Sequence, residues 1–285
     1  MEDHYLPWVK ANKAAVTYQG YLDVWRKHWR DRIGQTTLVN LTTARVTETL
    51  TELAQAGVGR WQLGHVKWFL SAVFEYARTQ SIVGHNPVPA AKWLCKVARH
   101  TKQREYSLTE IVQMLRILEP VDLRAAAAVA LSYFAALRPC EIRGLTWADF
   151  DGEIHVRRSV WRNHTGDTKT EGSEGTIPVI EPLRSLLERL RSHYGELATP
   201  DAPILQNQNR RPISLDSLNW RVIAPAMRKA GIQWRVFYPA RRGISSLVTD
   251  TSKNALNSTG LLRHSTPITA LRHYTRAQKD ISARH

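Results

Sequence analysis

Acidic residues are scarce in this chain of 285 residues: 25 Asp and Glu stand against 40 Lys and Arg, for a formal charge of +15 and a pI near 10.2. The deficit is spread along the sequence, with 15 basic against 7 acidic side chains in residues 1–104 and 25 against 18 in residues 105–285. Both parts are therefore expected to face one polyanionic polymer, which is a different design from a basic tail on a neutral enzyme. Cysteine is nearly missing as well. Cys95 and Cys140 are far apart and form no Cys-x-x-Cys spacing, which argues against a disulfide scaffold or a zinc site and favours a reducing compartment. No apolar run approaches 18 residues and the first residues contain no apolar signal core, so nothing points to secretion or a membrane span. Internal repeats, low-complexity stretches and a phosphate-cradling P-loop pattern are absent too.

What is present reads mainly as helix. Val66, Phe69, Leu70, Val73, Phe74 and Ala77 follow the spacing of one helical face, with Gln62, His65, Lys67, Ser71 and Arg78 opposite. An aromatic and basic helix is expected over about 17–30, another around Val46, Leu50, Leu53 and Ala54 ended by Gly57 and Gly59, and a short one over about 90–99. The polar stretch His100-Thr-Lys-Gln-Arg-Glu marks a linker. Beyond it, Ser107-Leu-Thr-Glu110 is a capping-box pattern, and Asp122 heads an alanine-rich apolar helix over 123–136. The period then changes: 153–161 alternates and 175–180 follows a turn-rich segment, which predicts a small antiparallel sheet. Helices are expected again over 183–194, 214–230 and 237–249, with short pieces up to Tyr274.

Four residues suggest phosphodiester chemistry. Arg138 stands in Ala-Leu-Arg138-Pro-Cys-Glu141, Arg241 in Tyr238-Pro-Ala-Arg241-Arg242-Gly, and His264 precedes Tyr274 by ten positions. Breaking a phosphodiester requires a nucleophile, neutralisation of two non-bridging oxygens, and a proton for the leaving oxygen. A guanidinium grips two phosphate oxygens and keeps its charge, and a phenol can attack. Arg138 and Arg241 both adjoin apolar runs, so each is expected to be partly buried and to need an anionic partner. Glu141, three residues after Arg138 on the same helical face, is the candidate partner.

These segments, in this order, resemble the tyrosine recombinases, the phage-integrase family. The Arg138–Asp149 segment is similar to the family's first arginine motif, Thr168-Lys169-Thr170 with Thr176-Ile-Pro-Val179 to its lysine hairpin, Tyr238-Pro-Ala-Arg241 to its His-x-x-Arg motif, and Leu262-Arg-His264 with Tyr274 to its nucleophile segment. The resemblance implies a mainly α fold: a helical core-binding domain over 1–103, then over 104–285 a mostly helical catalytic domain with a small antiparallel sheet. It also implies roles. Tyr274 would form a 3′-phosphotyrosyl bond, Lys169 would protonate the 5′-oxygen, and His264 would hydrogen-bond the phosphate or assist proton transfer. Because the ester stores the bond energy and side chains carry the charge, neither ATP, metal nor cofactor is expected.

The implied activity is site-specific DNA recombination on double-stranded DNA, by a homotetramer spanning two sites, with accessory DNA-bending proteins as further partners. The implied location is the cytoplasm, at the nucleoid of a prokaryotic cell or for a phage. A catalytically silent DNA-binding descendant and a type IB topoisomerase or resolvase activity are the alternatives. Three departures from the family stand out: Tyr238 where histidine is usual, Arg263 in place of a glycine, and only 11 residues after Tyr274, a short tail for subunit exchange. For DNA contact, Arg60, His65 and Lys67 are the candidates on the third helix, with Arg242 on a neighbouring phosphate.

Overall fold

The computed structural model describes residues 1–97, 104–162, 164–166 and 175–252. The chain divides into two compact units, Met1–Lys102 and Gln103–His285. Among the described residues no helix is long and apolar enough to cross a membrane.

The first unit is helical. It contains α1 (Tyr5–Asn12), α2 (Ala15–Val24), α3 (Arg30–Ile33), α4 (Thr43–Gln55) and α5 (Arg60–Thr79), with a π-helical turn at Trp25–Trp29 joining α2 to α3. The Thr42 hydroxyl caps α4 by accepting from the Arg45 N–H. Gly57 (φ 87°) turns the chain out of α4 in the left-handed conformation that glycine adopts without strain. The apolar face expected on α5 is buried, from Leu63 through Val66, Phe69, Leu70, Val73, Phe74 and Ala77. Trp29 is fully buried against it and donates its indole N–H to the Val66 carbonyl at 3.1 Å.

The helix expected over 90–99 does not form in its described part, 90–97. The groups a helix would pair are spent elsewhere. The Lys92 N–H donates to Thr47 Oγ1 (3.4 Å) and the Leu94 N–H to Thr51 Oγ1 (3.0 Å), both on α4. From α5, the Lys67 ammonium donates to the Pro89 and Ala91 carbonyls at 2.8 and 2.6 Å. This segment is an extended strap lashed across two helices. Partial burial, with Lys92 nearby, lowers the Lys67 ammonium below its ordinary pKa.

The second unit is built round α7 (Leu123–Phe134), on which every residue from Ala125 to Phe134 is buried. The Asp122 carboxylate caps it, accepting from the Arg124 and Ala125 N–H groups. Its alanines let α6 (Leu108–Leu118), α9 (Leu183–Tyr194) and α12 (Phe237–Ser252) approach closely. The capping box expected at Ser107 and Glu110 is formed in both directions. After α8 (Pro139–Gly144) come two antiparallel pairs: β1 (Glu153–Val156) with β4 (Gly175–Pro178), and β2 (Ser159–Trp161) with β3 (His164–Gly166). The single strand expected over 153–161 is broken at Arg157 and Arg158, which turn their side chains onto buried Asp149 at 3.0 and 2.6 Å. The helix expected over 214–230 runs as α10 (Leu215–Leu218), a π-helical turn (Asn219–Ile223) and α11 (Ala224–Lys229). That wider turn ends two residues before Pro225, which has no N–H to give.

Replacing Lys67 with methionine should remove the donor from two strap carbonyls while keeping the stem that covers α5. We expect a loss of about 1–3 kcal/mol in denaturant unfolding. An unchanged midpoint would show that Lys67 is a free surface cation.

Candidate active site on helices α8 and α12

Arg138 is the N-cap residue of α8, and Pro139 follows at the first helical position, where a missing N–H costs nothing. Glu141 then falls at the third position. Its carboxylate accepts from the Arg138 backbone N–H (2.8 Å) and from the Arg138 guanidinium (2.6 Å). Glu141 is almost wholly buried, whereas the Arg138 side chain keeps 28% of its surface in solvent.

Arg241 arrives from the other end of the unit. It lies on the second turn of α12, is 5% exposed, and has its guanidinium 3.7 Å from the second Glu141 oxygen. The same guanidinium donates to the Ala136 carbonyl. One buried carboxylate thus sets two arginines side by side, one partly open to solvent and one fixed beneath. A lone charge at this depth would cost several kcal/mol, which the pairing offsets.

The segments bearing both arginines enter through non-glycine residues in the left-handed region, Ala136 (φ 48°) and Val236 (φ 66°). Such a conformation costs roughly 1–2 kcal/mol in an L-residue, and for β-branched Val236 it is an outlier. At Ala136 it presents the carbonyl that Arg241 uses. Below Val236, α12 is pinned in several ways: the Ser132 hydroxyl donates to the Phe237 carbonyl (2.9 Å) and the Tyr106 N–H to the Pro239 carbonyl (3.4 Å). Gly243 lies so close to the Tyr106 carbonyl that any side chain would collide with it. Arg235 lies over the Tyr106 ring at 4.8 Å and pairs with Glu110 at 3.2 Å.

Tyr238, at the position where the family pattern has histidine, is 57% exposed on the first turn of α12, one turn ahead of Arg241. Arg242 is half-buried, with its guanidinium 3.8 Å from Glu105. Lys169, His264 and Tyr274 lie outside the described residues. The described strands end at Gly166 and resume at Gly175, on either side of Lys169. In the first unit, Arg60 and His65 are on the exposed face of α5, but Lys67 is not available there, being committed to the strap.

Sequence reasoning missed the frame behind Arg138. Arg143, on α8, donates to the carbonyls of Ile213 (3.0 Å), Val160 (3.3 Å) and Arg162 (2.6 Å). A Cβ on Gly144 would fall 2.6 Å from the Arg158 carbonyl oxygen, so α8 lies tightly on the start of β2. Asp149 ties Arg157, Arg158 and the Thr146 N–H into the same corner. The Thr146-Trp-Ala-Asp149 spacing, itself a capping pattern, was the available signal. Among the described residues, no group of three or more His, Cys, Asp or Glu side chains is placed to hold a metal.

No family model matches the chain. Over 187 residues, 63% of its length, it is 23% identical to the ICEBs1 integrase of Bacillus subtilis (strain 168). It spans about half the length of that relative (50%). Among solved structures, the Tn1549 transposon integrase in complex with a circular intermediate DNA superposes with a TM-score of 0.78 at 16% identity, covering 98% of this chain and 97% of that one. A lambda integrase tetramer bound to a Holliday junction gives a TM-score of 0.74 at 17% identity, covering 95% and 75%. The chain has the tyrosine-recombinase fold. The mainly helical architecture with small antiparallel pairs is that of the integrases it superposes on.

The recombinase fold leaves the entrance to α12 resting on Glu110. Burial works to raise this carboxyl, but the Ser107 backbone N–H and hydroxyl and the Arg104 and Arg235 guanidinium groups outweigh it and hold it at about 2. A depressed carboxylate contributes stability that is whole above its ordinary value near 4.5 and is lost as pH falls through 2. Unfolding followed across that window should show stability declining in the wild type and a flatter profile in Glu110→Gln. Identical slopes in the two proteins would contradict the assignment.

Proposed function

We propose that this protein is a site-specific DNA recombinase of the integrase type, which cuts and rejoins double-stranded DNA through a 3′-phosphotyrosyl intermediate. The observation that carries this reading is the meeting of Arg138 and Arg241 on Glu141. Two guanidinium groups, held side by side before any substrate arrives, suit the non-bridging oxygens of one phosphodiester, whose charge rises in the transition state. Because the groups are already fixed, little reorganisation accompanies the reaction.

In this reading Tyr274 attacks the phosphorus as its phenol proton passes to a base, for which His264 is the candidate. A 3′-phosphotyrosyl ester forms as the bond to the 5′-oxygen breaks, and Lys169 gives that oxygen its proton. An ammonium can release a proton at working pH and a guanidinium cannot. His264 and the exposed Tyr238 phenol donate hydrogen bonds to the phosphate. Attack by the freed 5′-hydroxyl of another strand reverses the step and reseals DNA, so no nucleotide triphosphate is consumed. The first unit serves as the core-binding clamp and the second as the catalytic domain. The assembly is a tetramer on two DNA sites, in the cytoplasm and at the nucleoid, with DNA-bending proteins as accessory partners. The even distribution of positive charge over both units supports a clamp that tracks the phosphate backbone.

A nicked suicide duplex carrying the correct core site tests the reading. In EDTA it should give a covalent protein–DNA adduct that Tyr274→Phe abolishes, while Arg138→Ala and Arg241→Ala should each slow its formation by about 10²–10³. Tyr238→His should alter the rate and leave affinity nearly unchanged. An adduct that survives Tyr274→Phe would overturn the nucleophile, and tight binding with no adduct would identify a silent DNA-binding descendant.

A further inference from the structure

The most solvent-facing line of α5 is aromatic. At 3.6 residues per turn, Trp61 and Trp68 lie on the side of the helix opposite the buried stripe, and they are 77% and 55% exposed. A tryptophan is among the largest apolar side chains a fold can bury, so two of them on one outward line form an unmet apolar surface. They are held in place. Trp61 stacks on His65 (centroids 5.3 Å, planes 26° apart), His65 meets Trp68 at 6.0 Å, and Trp68 stands edge-on to buried Tyr21 at 5.7 Å. Between the two indoles is Gly64, where an added Cβ would touch nothing, so a notch opens to solvent.

The charge around this line selects its occupant. Residues 60–74 of α5 carry Arg60 and His65 outward and no Asp or Glu, with Lys67 held by the strap. Glu75, further along the same line, is paired with Arg78 at 2.8 Å. Beside Gln62 an open cleft is lined by the exposed cations Arg26 and Lys27 with one carboxylate, Asp23, so its charge stays positive on balance. A second copy of this chain would bring like charge to like charge, whereas a nucleic acid brings both phosphates and flat apolar faces.

We infer that the Trp61–Trp68 line is a nucleotide-stacking surface, on which the indoles take the faces of DNA bases that have left the helical stack while Arg26, Lys27 and Arg60 hold the adjoining phosphates. Seven residues of α-helix span about 10.5 Å, roughly three nucleotides at their usual spacing along a strand, so both indoles reach one strand. This deepens the DNA-binding reading above and rests on it. It places the contact on aromatic side chains, where stacking tolerates any base sequence.

The probes are a short labelled duplex with a central mismatched bubble and the same duplex fully paired, both titrated with the full chain at several salt concentrations. Trp61→Ala and Trp68→Ala should each weaken bubble binding by about tenfold, with the salt dependence unchanged and with less quenching of indole fluorescence on binding. Trp61→Phe should restore most of the affinity. Arg26→Ala and Lys27→Ala should instead each reduce the salt slope by about one. Tryptophan variants that melt like the wild type and bind the bubble equally well would overturn the inference, as would a change confined to self-association without DNA. Wild-type protein that binds neither probe, nor its core site, would remove the recombinase reading together with it.

Discussion

A buried carboxylate between two guanidinium groups is the constraint on which the second unit depends. Glu141 accepts from the backbone and side chain of Arg138 and stands 3.7 Å from the Arg241 guanidinium. Each cation would be costly to bury alone, and the carboxylate would be as costly without them. Together they join two stretches of chain that are remote in sequence. The left-handed turn at Ala136 is the local cost of that junction, since it aims a carbonyl at Arg241.

The same short helix reaches the hairpin. Arg143 holds three carbonyls, Gly144 allows the backbone of Arg158 to come close, and Asp149 draws in both Arg157 and Arg158. Helix α8 therefore fixes Arg138 at one end and the root of the β2–β3 pair at the other.

Much of this was legible in the sequence where a local rule applied. The three-residue spacing of Arg138 and Glu141 gave their pairing, and the buried face of α5 followed its apolar period residue by residue. Long-range uses of side chains were not legible. Helical spacing put Lys67 on the polar face, but its four-carbon stem reaches round to the Pro89 and Ala91 carbonyls. Helix was expected over 90–99 because nothing in its own residues announces that Thr47 and Thr51 will take its backbone donors. Alanine has no preference for the left-handed region either, so the turn at Ala136 gave no sign. Trp61 and Trp68 were legible too, because the period that marks the core also places them on the outer line of α5.

Glu141 touches both arginines and so couples Arg138 to Arg241. A double-mutant cycle on the single-turnover rate of adduct formation, using Glu141→Gln, Arg241→Ala and the double variant, tests it most directly. The coupling should reach about 1 kcal/mol or more, because the carboxylate acts through the arginine it holds. Effects that simply add would mean that Glu141 stabilises the fold and leaves the arginine to act alone.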